Sequence, residues 1–182
     1  MISIKEKSIL TKFQNYIAHI SIGPSTLRGH KKGTMKNVIN SLKEIPLNKL
    51  SKINNEEKFI EWLNKQTEKL VCKLPGKSWG TARKTINVFL FHACHNVWLA
   101  RNYQLRKIIP YLELTLDNYN AKKLKKYAEK EGIELKWKSI KCLTAEENEK
   151  FQKYARKYAK ERYNLERCYL DVIFWPEGRE KR

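Results

Sequence analysis

The chain reads as an all-α protein. Only seven glycines and five prolines interrupt its 182 residues, and its apolar residues recur mostly at three-to-four spacing, the period of a helix that buries one face. The length suits a single domain, or two small lobes, with enough chain to bury a real core. No internal repeat and no low-complexity linker divides it. Lysine and arginine number 38 against 19 acidic residues, a formal charge of +19. So much positive charge opposes compaction and points to a polyanionic partner, nucleic acid above all.

Taken in order, the spacing predicts helices over 4–20, 34–44, 55–72, 81–103, 118–131 and 144–163, with a short last one near 168–175. The opening "MISIKEKSIL" lacks the continuous apolar run of a signal peptide. No stretch reaches the roughly 18 apolar residues of a spanning helix, so no membrane is expected. The connection "SIGPSTLRGHKKGT" is rich in turn residues and carries Arg28, His30, Lys31 and Lys32. It reads equally as a phosphate-contacting loop and as a solvated connection.

The stretch "LPGKSWGTARKTINVFLFHACHNVWLA", Leu74 to Ala100, starts as a glycine-punctuated turn and becomes a strongly apolar helix. Thr81 is its expected cap, which puts Lys84 at the third helical position. Ile86, Val88, Phe89, Leu90, Phe91, Ala93, Val97, Trp98 and Leu99 follow, a composition that belongs in the middle of a bundle. Partial burial and the positive helix end would both favour the neutral amine of Lys84, the form that attacks carbon. The competing expectation is that Lys84 snorkels to solvent.

"YLELTLDNYNAKKL" holds a short extended stretch, then Asp117 as a helix N-cap. The helix after it shows a basic face of Lys122, Lys123, Lys125 and Lys126, and Gly132 ends it. Near the C-terminus Asp171 and Trp175 stand four apart and share a helix face. Cysteines 72, 94, 142 and 168 show no CxxC pair and are read as reduced thiols of a cytoplasmic, nucleoid-associated protein. His92 and His95 of "HACH" share a face, but no second ligand cluster completes a tetrahedral site. No metal and no cofactor are therefore expected.

"LPG" followed by "RKTINVFL" resembles the hairpin and following helix of the helix-hairpin-helix DNA glycosylases, the superfamily of endonuclease III. Leu74, Pro75 and Gly76 match the hairpin turn, and Lys84 falls on the lysine that forms the Schiff base. Eight positions separate Gly76 from Lys84, a longer interval than in endonuclease III. The family's catalytic aspartate is matched by Asp117, 33 positions on. That interval, with "KTINVF" and "LTLD", is similar to the archaeal 8-oxoguanine DNA glycosylases. "CYLDVIFWPEGR" resembles the segment near the end of the same family whose aspartate and tryptophan line the base pocket, here Asp171 and Trp175. The cysteine spacing excludes the four-cysteine iron–sulfur loop of endonuclease III.

The resemblance spans residues 70–178 and leaves 1–70 unplaced. It implies a helical bundle with a helix-hairpin-helix motif and a glycosylase that flips a damaged or modified base, 8-oxoguanine-type favoured, out of double-stranded DNA. Lys84 would attack C1′, Asp117 would assist, and the covalent imine would permit abasic-site lyase chemistry. Gly76, Lys77, Gly80 and Arg83 would hold phosphates, with Arg28 and Lys31 as further DNA contacts. The enzyme is expected to act as a monomer. Two other classes fit the charge: a non-enzymatic helix-hairpin-helix DNA-binding protein, in which Lys84 and Asp117 form a structural pair, and a helical RNA-binding or ribosome-associated protein.

Overall fold

The computed structural model describes residues 4–23 and 33–175. Among these residues there are eight α-helices and no strand: α1 (Ile4–Ile20), α2 (Thr34–Lys43), α3 (Glu56–Val71), α4 (Trp79–His95), α5 (Val97–Asn102), α6 (Asn118–Lys130), α7 (Ala145–Tyr163) and α8 (Leu170–Phe174). Short 3-10 segments at Leu47–Lys52, Leu105–Tyr111, Ile140–Cys142 and Arg167–Tyr169 fill connections that a 3.6-residue period does not reveal. No helix of the described residues is long and apolar enough to cross a membrane.

Side chains set the helix ends. Asn55 caps α3 by accepting from Lys58 N–H at 2.9 Å. Thr144 and Glu147 form a reciprocal capping box at the start of α7. Gly132 follows α6 in the left-handed conformation at φ 70°, as its position predicts. Gln14 of α1 donates to the carbonyls of Lys43 at 2.9 Å and Ile45 at 2.8 Å, which supplies the exposed end of α2 with a partner from another helix.

Two expectations about the central helix are corrected. Its cap is Ser78, whose hydroxyl accepts from Thr81 N–H at 3.2 Å. Lys84 is then the sixth helical residue, beyond the first turn where the field of a helix terminus is felt. The predicted 81–103 helix also breaks at Asn96, which adopts an extended conformation and caps α5 by accepting from Leu99 N–H. An asparagine that can satisfy a free amide competes with helix continuation.

The buried apolar side chains form two clusters. The first runs from Leu10 to Leu112, with Cys168 added, and draws on α1 to α5 and Leu105–Tyr111. The second runs from Leu114 to Phe174, with Trp79 of α4 packed against it. In the chain the two clusters meet at Glu113. Gly80, at the start of α4, lies where the two meet. A β-carbon there would stand 2.1 Å from the Ile140 carbonyl oxygen and 2.8 Å from Leu143 Cβ, so only glycine lets the backbones approach this closely.

Between the clusters the chain has no regular secondary structure over 112–117, and side chains supply partners for its backbone. Arg167 donates to the carbonyls of Tyr111 at 2.8 Å and Leu112 at 3.0 Å. Gln152 accepts from Leu114 N–H and donates to its carbonyl, both at 2.9 Å. Asn120 donates to the Thr115 carbonyl at 2.8 Å. These side chains meet several of the backbone's buried polar groups, which restrains its conformation. It delivers Asp117 to a fixed place.

Candidate active site

Lys84 of α4 belongs to an element of the first cluster, and Asp117 opens the first helix of the second. Their Nζ and Oδ2 atoms stand 3.9 Å apart, with 15% of the lysine side chain exposed and 39% of the aspartate side chain. Asp117 Oδ1 accepts from the N–H groups of Tyr119 and Asn120, each at 2.9 Å. One carboxylate oxygen therefore closes the helix while the other faces the ammonium. The capping role orients the carboxylate for the lysine.

Asp171, on α8, completes the cluster. Asn120 donates to its Oδ1 at 2.6 Å, and Asn120 is itself buried. Burial pushes the Asp171 carboxyl above the ordinary carboxylate range, and the charge of Asp117 adds to this; the Asn120 hydrogen bond, the Lys84 charge and Thr115 oppose it. Both amide hydrogens of Asn120 are committed, one to Thr115 and one to Asp171.

Trp175 follows α8, its backbone N–H donating to the Asp171 carbonyl at 3.1 Å. It is 56% exposed. One turn of helix thus carries the partly buried acid and a largely exposed indole.

The turn between α3 and α4 is closed by Lys77 N–H donating to the Leu74 carbonyl at 3.0 Å. Gly76 is exposed with open space around it. The left-handed residue of this turn is Lys77, at φ 44°. Its side chain is exposed. Arg28 and Lys31 lie outside the described residues.

Arg83 requires a correction. It is 3% exposed and grips the buried Glu113 with Nε at 2.8 Å and Nη2 at 3.0 Å. Its Nη1 donates to Asn64 and Thr67. A guanidinium enclosed in this way is a brace between the clusters and is not available to a phosphate. Gly80 likewise has a packing role against Ile140. The basic face of α6 is also redrawn: Lys122 and Lys126 are exposed, Lys125 pairs with Glu129 at 3.7 Å, and Lys123 lies 4.1 Å above the Phe174 ring. The "HACH" side chains diverge. Cys94 is buried against the Leu105 carbonyl, whereas His95 is bound to the Phe91 carbonyl and Tyr169.

Sequence reasoning missed Glu113 and Asn120. Glu113 accepts four hydrogen bonds, from Arg83, Asn87 and Asn148; burial pushes its carboxyl up, but the charge and hydrogen bonds of Arg83, the Arg167 charge and the Asn87 hydrogen bond together hold it below the usual range. The sole signal was an acidic residue alternating with leucines in "YLELTLD". Asn120 looks like an ordinary residue of the first helical turn.

No family model, no curated protein and no solved structure matches this chain.

Proposed function

We propose that the chain is a DNA glycosylase with abasic-site lyase activity. The observation that carries this reading is the amine of Lys84 held 3.9 Å from the helix-capping carboxylate of Asp117, at the junction of the two apolar clusters and beside Asp171. The charge of +19 suits a duplex DNA partner.

A base inside a duplex must be flipped out before chemistry can reach its glycosidic bond. Trp175 stacks on the extruded base and Asp171 hydrogen-bonds its edge. An 8-oxoguanine-type purine is the favoured class. The neutral amine of Lys84 forms a bond to C1′, while the electron pair of the C1′–N bond departs with the base, which gains a proton. Positive charge develops on the sugar in this step, and Asp117 stabilises it electrostatically. Asp117 also accepts the proton that the attacking amine loses. Opening of the sugar ring yields the imine, from which β-elimination severs the strand. The α3–turn–α4 unit serves as a helix-hairpin-helix, with the exposed Gly76 amide and the exposed Lys77 side chain facing a phosphate.

Borohydride trapping on duplexes with an abasic site or an oxidised purine tests this. Wild type should give a covalent adduct, and Lys84→Gln should abolish it while duplex binding changes little. A wild-type protein that traps on none of these duplexes would overturn the lyase step.

A non-enzymatic DNA-binding protein is the second reading, favoured by the same contact taken as an ion pair that joins α4 to α6. Under that reading, neutralising Lys84 and Asp117 together leaves the biological activity unchanged.

A further inference from the structure

The second cluster carries a groove that the Lys84 chemistry does not use. It lies at the C-terminal ends of α6 and α7, encloses about 480 Å³, and is lined by Tyr127, Lys130, Glu131, Tyr158, Arg162 and Tyr163. The rings of Tyr127 and Tyr158 stack at 4.8 Å and 15°. Tyr163 meets Tyr158 edge-on at 6.1 Å and 65°. Tyr158 is buried, which fixes the platform, whereas Tyr163 is 41% exposed.

The lining of the groove holds two cations, Lys130 and Arg162, and one acid, Glu131. Glu131, the acidic member, is matched by Lys157 at 2.8 Å and the Tyr154 hydroxyl at 2.9 Å. Lys130 and Arg162 are exposed, and neither forms an ion pair among the described residues. Lys130 is also the end of an exposed stripe, Lys122, Lys126 and Lys130, at successive four-residue steps on α6. The helix that carries the stripe begins at the Asp117 cap and covers roughly 20 Å at 1.5 Å per residue. That is about six phosphates of one strand at roughly 3.4 Å each.

We propose that this groove binds an unpaired nucleotide of a nucleic-acid strand, with Tyr163 presenting a face to the base and Lys130 and Arg162 taking the phosphates. A stack of tyrosines beside exposed cations is the arrangement that single-strand sites use, because every base has a π-face and every nucleotide a charge. In an intact duplex the base faces are covered by their neighbours, so the exposed ring has a partner only where the strand is open. The lysine stripe supplies an electrostatic track between this platform and Asp117. The groove stands independently of the glycosylase reading.

Fluorescence anisotropy of the full chain with a labelled short oligo(dT), set against a blunt-ended duplex, tests the site. Tyr163→Ala should weaken oligo(dT) binding roughly tenfold and leave the duplex within about threefold, while Tyr163→Phe, which keeps the ring, should match wild type. Arg162→Ala should flatten the salt dependence of oligo(dT) binding. A parallel oligo(U) titration assigns the polymer, since a loss confined to either strand type supports the site. Ultraviolet cross-linking of wild type to an iodouracil-bearing strand should place the adduct on the Tyr163 peptide, a readout that needs no variant. Wild-type oligo(dT) and oligo(U) affinity in Tyr163→Ala, an equal loss on the blunt duplex, or adducts only elsewhere would overturn the proposal. Lys84→Gln should leave oligo(dT) binding intact, so failure of the imine chemistry and failure of this groove are read separately.

Discussion

Arg83 and Glu113 form a two-pronged ion pair, 2.8 Å and 3.0 Å, buried on both sides at the junction of the two apolar clusters. Asn87 and Asn148 donate to the same carboxylate at 2.9 Å and 3.1 Å. Such a pair contributes less through its own attraction than through the penalty of breaking it, which leaves a charge buried without its counter-ion. Glu113→Gln should therefore destabilise the fold by about 3 to 5 kcal/mol, measured by urea denaturation at neutral pH. A loss under about 1 kcal/mol would mean that water reaches the site.

The same carboxylate sets an acid limit. Its folded-state value lies below the ordinary one, as does that of Glu56, paired with Arg156 and Arg167. In this situation the unfolded chain binds more protons, so the stabilisation is complete above the ordinary carboxylate range and is lost as pH falls through the depressed values. Melting temperature should drop steeply on that acid limb, and Glu113→Gln should flatten the slope.

Asp171 carries the opposite sign. Its carboxyl lies above the ordinary range, so the folded state binds the extra proton and the residue's contribution worsens as pH rises from the ordinary range through the raised value. Asp171→Asn should remove that descending limb. Asn120 opposes the shift through its 2.6 Å bond, so Asn120→Ala should push the Asp171 titration midpoint higher still. Carboxyl NMR titration reads it directly. An unchanged midpoint would show that Asn120 does not govern this acid.

The turn before α4 holds Lys77 at φ 44°, a region that disfavours side chains with a β-carbon. Lys77→Gly should relieve this and stabilise by about 0.5 to 1 kcal/mol, after the greater entropy of an unfolded glycine is counted. The midpoint of urea unfolding should rise. If the turn also holds a phosphate, the salt slope of duplex binding should fall by about one.

Gly80→Ala tests the close approach of α4 to Ile140–Cys142. Helix propensity alone favours alanine by about 1 kcal/mol. The β-carbon would lie 2.1 Å from a backbone oxygen, and overpacking of this kind costs about 1 to 3 kcal/mol. A net loss of stability in thermal melts is expected, and a gain would show that Ile140–Cys142 yields easily.

The sequence determined the helical class, the approximate spans of six helices and the caps at Asp117 and Gly132, because apolar period and capping chemistry are local properties. It also singled out Lys84, Asp117 and Asp171, which the fold brings into one neighbourhood. Tertiary structure decided what local pattern does not encode. Asn96 could continue a helix or cap a new one, and packing at the C-terminal end of α4 selected the second. Arg83 reads as a surface cation until Glu113, 30 positions away, encloses it. Asn120 gains its place only when α8 folds back to set Asp171 against it. The Arg83 and Asn120 outcomes depend on desolvating a polar group against a partner distant in the chain, and a period of three to four residues carries no information about such partners.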